Sequence, residues 1–186
     1  MWSGPDSLAG ADAVLITHQH ADHLDPDVVR AALDRDRQLE LWTAPDVAAQ
    51  LADFGRRVHA VRHGDSFTAA GFEVRVYGAE HAPVHPDLPT VPNVGFAIDQ
   101  NMFHPGDAFT VPDEPVRTLL LPISAPWLKA SEMVDYARSV RPQVSYAIHD
   151  ELASSKGLTL IGQLADRLLG EVCPYLRLEP GASAEI

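Results

Sequence analysis

The apolar run Ala13-Val14-Leu15-Ile16 leads directly into Thr17-His18-Gln19-His20-Ala21-Asp22-His23, and this junction constrains the chain more than any other. The run reads as a short buried strand, being apolar, partly β-branched and closed by a polar cluster. Side chains alternate along a strand, so His18 and His20 leave its end on the same side. Asp22 and His23 fall where the chain must turn, because Asp25-Pro26 opens a helix immediately afterwards. Four ligand-type groups therefore converge at the carboxyl end of one strand. Imidazole and carboxylate without thiolate suit zinc, manganese or iron.

Composition narrows the setting. A chain of 186 residues is the size of one domain, taken as 1–186, with enough apolar residues to bury a core. The formal net charge of −12 is spread along the chain, which argues against a nucleic-acid partner held by a basic patch. Cys173 is the single cysteine, in an apolar stretch, and reads as a buried structural thiol. No apolar run is long enough to span a membrane, and the start lacks a basic-then-apolar signal, so a cytoplasmic location without membrane contact is expected.

Strand and helix patterns alternate. Strands are expected at 13–17, 39–42, 58–61, 66–68, 72–77, 94–98, 101–103, 118–121 and 144–148, with a closing strand at 175–178. Helices are expected after Pro26, after Pro45 up to Gly55, from a Ser131 cap to Pro142, and through Leu158–Leu168. Strands outnumber helices and the helices form two groups. That suits an α+β fold in which two sheets pack together with helices outside.

A two-metal site needs further ligands, and three later positions qualify as strand-end residues. His81 follows the strand 72–77 past Gly78, and Asp107 follows 101–103 in Phe103-His104-Pro105-Gly106-Asp107. His149 ends the strand 144–148. Each is weak alone, and together with the first motif they carry weight.

In that order, H-x-H-x-D-H, then His, then Gly-Asp, then a strand-terminal His, the chain resembles the metallo-β-lactamase superfamily of binuclear hydrolases. It is most similar to the lactonase-like and uncharacterised actinobacterial branches, where stretches like Asn93-Val94-Gly95-Phe96, His104-Pro105-Gly106-Asp107 and Ala125-Pro126-Trp127 recur. The resemblance covers roughly residues 10 to 180 and implies an αββα sandwich with metals at one edge. It implies one metal on His18, His20 and His81, a second on Asp22, His23 and His149, and Asp107 bridging both. Asp22 and Asp107 would be the catalytic carboxylates. The cofactors implied are two divalent ions, zinc first, with manganese or iron as alternatives, sharing a hydroxide that attacks a small ester, lactone or phosphoester.

Other residues take supporting roles in this reading. Glu80 and Asp150 flank ligand histidines and could orient imidazoles. Trp127 could wall a substrate pocket, Lys129 could meet a phosphate or carboxylate, and His85 could face the substrate or replace His81. His104 reads as a residue near the cluster, and His59 and His63 as surface residues. A phosphodiesterase or nuclease of the same superfamily is the alternative activity, and a metal-binding, inactive form serving assembly is the alternative class.

The chain departs from the family at its start. Members usually carry two or three strands before the first metal motif, with a Gly-His-Ser-like turn and an Asp-Pro. Here Met1 lies 17 residues before His18, and Met1–Gly10, with Gly4-Pro5 and Gly10, reads as a loop. The fold is therefore expected to be N-terminally shortened, leaving a sheet edge open to self-association. A gene start set too far downstream is the favoured explanation, and a natural short form that covers its edge as a homo-oligomer is the alternative.

Overall fold

The computed structural model describes residues 6–170 and 172–185. The loop expected at the start lies outside the described residues over 1–5 and consists of turns over 6–10. Strand β1 (Ala13–Ile16) is followed by helix α1 (Pro26–Arg35), β2 (Glu40–Thr43), α2 (Pro45–Gln50) and a 3₁₀ helix (Ala52–Arg57). Next come β3 (Val58–Ala60), β4 (Ser66–Ala69), β5 (Phe72–Tyr77), β6 (Gly95–Ile98) and β7 (Met102–His104). The chain continues through β8 (Thr118–Pro122), α3 (Ala130–Val140), β9 (Val144–Ile148), α4 (Ser155–Leu169) and β10 (Tyr175–Leu176).

The strands form two sheets, a parallel one in the order β1-β2-β3 and a seven-stranded one in the order β10-β9-β8-β7-β6-β5-β4. β4 to β7 run antiparallel as a meander, whereas β7, β8, β9 and β10 are mutually parallel. Parallel neighbours need crossovers, and α3 and α4 supply the last two.

Strand alternation produces three apolar layers. Val14, Ile16 and Leu41 turn outward to meet Val29, Ala32 and Leu33 of α1. Ala13, Leu15 and Trp42 turn inward against Val74, Val76, Phe96 and Ile98 of the large sheet. The opposite face of that sheet, with Phe103, Leu119 and Leu121, packs on Met133 and Ala137 of α3 and Ala165 and Leu169 of α4. Helix, sheet, sheet, helix is the expected αββα arrangement.

Asp25 caps α1 as its carboxylate accepts from the Asp27 and Val28 N–H groups at 3.1 and 3.2 Å. Ser131, by contrast, is not a cap. Lys129 holds that position with no side-chain bond, and the helix starts on the backbone bond from Met133 N–H to the Lys129 carbonyl. The second helix ends at Gln50, and Gly55 at φ +61 kinks the 3₁₀ segment that follows. β10 stops at Leu176, and Arg177 pairs with Asp150 instead of extending it.

The small sheet lies over β4 to β6 only. Farther across the large sheet, Met102, Leu120 and Tyr146 remain half-buried. A cavity of about 420 Å³ opens there between Leu15, Phe96, Ile98, Met102 and Leu120. Among the described residues, β1 has a strand neighbour on one side only.

Candidate metal centre

The ends of β1, β5, β7 and β9 meet at one edge of the sandwich. After β1, the His23 and Leu24 N–H groups both bond the His20 carbonyl at 2.9 Å, forming a tight turn that runs into the Asp25 cap. The first motif is therefore a compact strand-to-helix turn. After β5, Gly78 at φ +79 redirects the chain where a Cβ would lie 2.8 Å from Thr110 Oγ1. His81 then hangs on its backbone bond to the Val91 carbonyl. After β9, His149 itself adopts φ +60, a left-handed conformation that a non-glycine residue holds only when its surroundings impose it.

Two triads result. The ring nitrogens of His18, His20 and His81 lie within 4.8 Å of one another, and so do the ligand atoms of Asp22, His23 and His149. Asp107 stands between them. Its Oδ1 is 3.2 Å from His23 Nε2, and its Oδ2 is 3.4 Å from His81 Nε2 and 3.2 Å from His149 Nε2. The His18 ring bridges the same gap, with its centroid 4.1 Å from that of His23 and 4.8 Å from that of His20. His18 and Asp107 are buried, and Asp22 is the solvent-facing member.

Second nitrogens fix the rings. His149 Nδ1–H donates to the Ser124 carbonyl at 2.6 Å, and His81 Nδ1–H donates to the Ala82 carbonyl. His18 Nδ1 pairs with Thr17 Oγ1 at 2.9 Å. Each arrangement leaves Nε2 as the atom facing the centre. His18 Nε2, His149 Nε2 and Asp107 Oδ1 are buried with no hydrogen-bond partner among the described residues. Buried polar atoms left so cost about 1–3 kcal/mol each. A divalent cation removes that cost by taking the lone pairs, and five imidazoles with two carboxylates are the donors zinc, manganese or iron accept. The residues fit a metal.

Protonation follows from the crowding. Burial pushes His18 down to about 2, with the neighbouring His23 adding to the effect. Burial also lowers His20, with His81 reinforcing it. His149 moves the other way, up to about 9, because the Asp107 carboxylate 3.2 Å from its Nε2 favours the charged ring. Burial works against the ionised form of Asp107, yet His149, His23 and His81 outweigh it and keep the carboxyl far below its ordinary range.

Several residues occupy places the sequence did not indicate. Trp127, expected at a pocket wall, is buried, and its Nε1–H donates to Asp107 Oδ2 at 3.0 Å. It orients the central carboxylate. Asp150 does not orient an imidazole, since it binds Arg177 Nε at 2.6 Å while a backbone carbonyl holds His149. Glu80 is exposed on a β-bridge to Pro92. Lys129 is exposed and pairs with Glu132, and His85 is exposed, pairs with Asp87 and lies outside both triads. His59 bonds Glu40 at 2.8 Å, and His63 Nδ1 accepts the Gly78 N–H.

Asn93 is the residue that sequence reasoning missed. Fully buried, it donates from Nδ2 to the Pro105 carbonyl and accepts the Asp107 N–H at Oδ1, both at 3.0 Å. It thereby clamps the loop that presents Asp107. Gly106 is required in that clamp, because at φ +65 a Cβ would lie 2.2 Å from Asn93 Oδ1. A lone asparagine in a loop carries no periodic signal, and only its place beside the Gly-Asp turn reveals its role.

Comparison with known proteins gives the family and the fold. A family model described as the β-lactamase superfamily domain matches residues 4–149. Protein Rv0786c of Mycobacterium tuberculosis is 38% identical over 156 residues, covering 81% of this chain and 72% of that protein. A candidate metal-dependent hydrolase from Parabacteroides distasonis superposes with a TM-score of 0.72 at 21% identity, over 94% of this chain and 79% of its own. The metallo-β-lactamase fold protein YhfI from Bacillus subtilis gives 0.66 at 16% identity, over 92% and 76%.

Proposed function

Because the chain belongs to the β-lactamase superfamily and has the metallo-β-lactamase fold, we propose that it is a binuclear metal-dependent hydrolase of a small ester, lactone or phosphoester. The observation that carries this reading is the pair of ligand triads with a single buried carboxylate between them. His18, His20 and His81 would hold one divalent ion and Asp22, His23 and His149 the other, with Asp107 placed to serve both. Bound there, the ions supply Lewis-acid activation of water and of the oxygen of the scissile group.

The chain's own residues do the rest. The Ala82 and Ser124 carbonyls fix the tautomers of His81 and His149 so that Nε2 faces inward, and Thr17 holds the His18 ring through Nδ1. Trp127 and the Asn93 clamp hold Asp107 at both its carboxylate and its backbone. Substrate enters from the side of Asp22, where a cavity of about 230 Å³ is bounded by His23, His104, His149 and Leu152. A volume of that size suits a small molecule rather than a polymer, and the net charge of −12 disfavours long nucleic acids. Cys173, the single cysteine, is buried beside Ser145, 2.8 Å away, and is not a ligand-site residue.

The test is a panel of bis-p-nitrophenyl phosphate, p-nitrophenyl acetate and a γ-lactone, run on protein loaded with zinc, manganese or iron in turn. Hydrolysis of at least one substrate, abolished in Asp107→Ala with loss of metal, is the expected result. A fully metallated protein inert to all three overturns the reading.

A further inference from the structure

His104 is not among the triad residues, yet it borders two of the three cavities that reach Asp22 and His23. It is the last residue of β7, and its Nδ1 accepts the Gly106 N–H at 3.0 Å. An imidazole nitrogen that accepts a backbone N–H carries no proton, so in the neutral ring the proton resides on Nε2. Among the described residues, no protein group accepts from that Nε2, and it is not sealed from solvent. A histidine serving only to fill the core would be expected to satisfy both nitrogens within the protein. This one satisfies Nδ1 and leaves a donor at the cavity.

The donor is also rigidly placed. Gly106 is locked by Asn93, and Asp107 follows in the same turn, so the His104 ring and the central carboxylate share one backbone scaffold. Asp22, His23 and His149 line the smaller cavity together with His104. We propose that His104 donates its Nε2–H to a substrate oxygen that gains negative charge during hydrolysis, in the cavity it shares with Asp22, His23 and His149. The proposal rests on the hydrolytic reading above. It adds a donor from the chain itself, aimed at the phosphoryl or carbonyl oxygen of the reacting centre.

Two measurements test it, and neither requires turnover. Long-range proton–nitrogen NMR of the metal-free and zinc-loaded protein reads the tautomer directly. The His104 proton is expected on Nε2 in both, and a proton on Nδ1 overturns the proposal. Calorimetric titration of the zinc-loaded full chain with inorganic phosphate reads the donor. His104→Phe is expected to weaken phosphate binding about tenfold or more at unchanged zinc content, consistent with loss of a hydrogen bond to an anion. His104→Gln, which keeps an N–H near the Nε2 position, is expected to recover most of the affinity. Equal phosphate affinity in wild type and both variants, or loss of zinc from His104→Gln, overturns it. A protein that binds phosphate through His104 but fails the whole hydrolysis panel would refute the hydrolytic reading instead.

Discussion

Asp107 approaches imidazoles from three separate parts of the chain, and two other side chains exist to hold it. Asn93 supplies no ligand atom, so its removal tests whether orientation matters. Asn93→Ala is expected to retain the fold but weaken zinc binding about 10–100-fold, read by competition with a chelating dye. Unchanged affinity would show that the clamp is dispensable. Protonation gives a second expectation. In the metal-free protein His149 stays positively charged up to about 9, while His18 is already neutral because burial holds it at about 2. Zinc at His149 must therefore displace a proton at pH 7.5, and apparent affinity should rise with pH until about 9 and then level off. Calorimetry in buffers of different ionisation enthalpy counts that proton, and a pH-independent affinity over 6–9 would contradict the assignment. The gathering of seven histidine and aspartate side chains at one edge was legible because such residues at strand ends stand out from an apolar background. Asn93 and the inward turn of Trp127 were not, since neither a loop asparagine nor an indole announces which way it faces.

At the scale of elements, strand alternation supplies both the layers and the site. The same strand that sends Val14 and Ile16 to α1 sends Ala13 and Leu15 to the other sheet and ends on His18. Leu33, fully buried between α1 and the small sheet, ties the ligand-bearing turn to its support. Leu33→Ala should cost about 2–5 kcal/mol in denaturant unfolding. The exposed Leu160→Ala on α4 should stay within about 0.5 kcal/mol. Equal effects would mean that the helix–sheet layer is not where stability resides. Most strand positions followed from apolar alternation, and Pro26, Pro45 and Pro142 marked helix limits. The cap of α3 and the 3₁₀ turn after α2 did not follow, because backbone bonding rather than a side chain sets both.

For the whole molecule, the uneven width of the two sheets is the main consequence. Three strands cover a seven-stranded sheet, so β1 keeps one side without a strand among the described residues while Met102, Leu120 and Tyr146 stay half-buried. Unpaired edges beside apolar surface favour pairing with another chain. Self-association is accordingly expected at tens of micromolar in sedimentation velocity, and a sharp monomer boundary at that concentration would contradict it. No described helix is long and apolar enough to cross a membrane. The most direct test of the central claim is a metal count. Protein stripped with chelator, reconstituted with zinc and freed of excess by gel filtration should retain about two ions per chain by elemental analysis, as two triads sharing one carboxylate require. Retention of none would contradict the account.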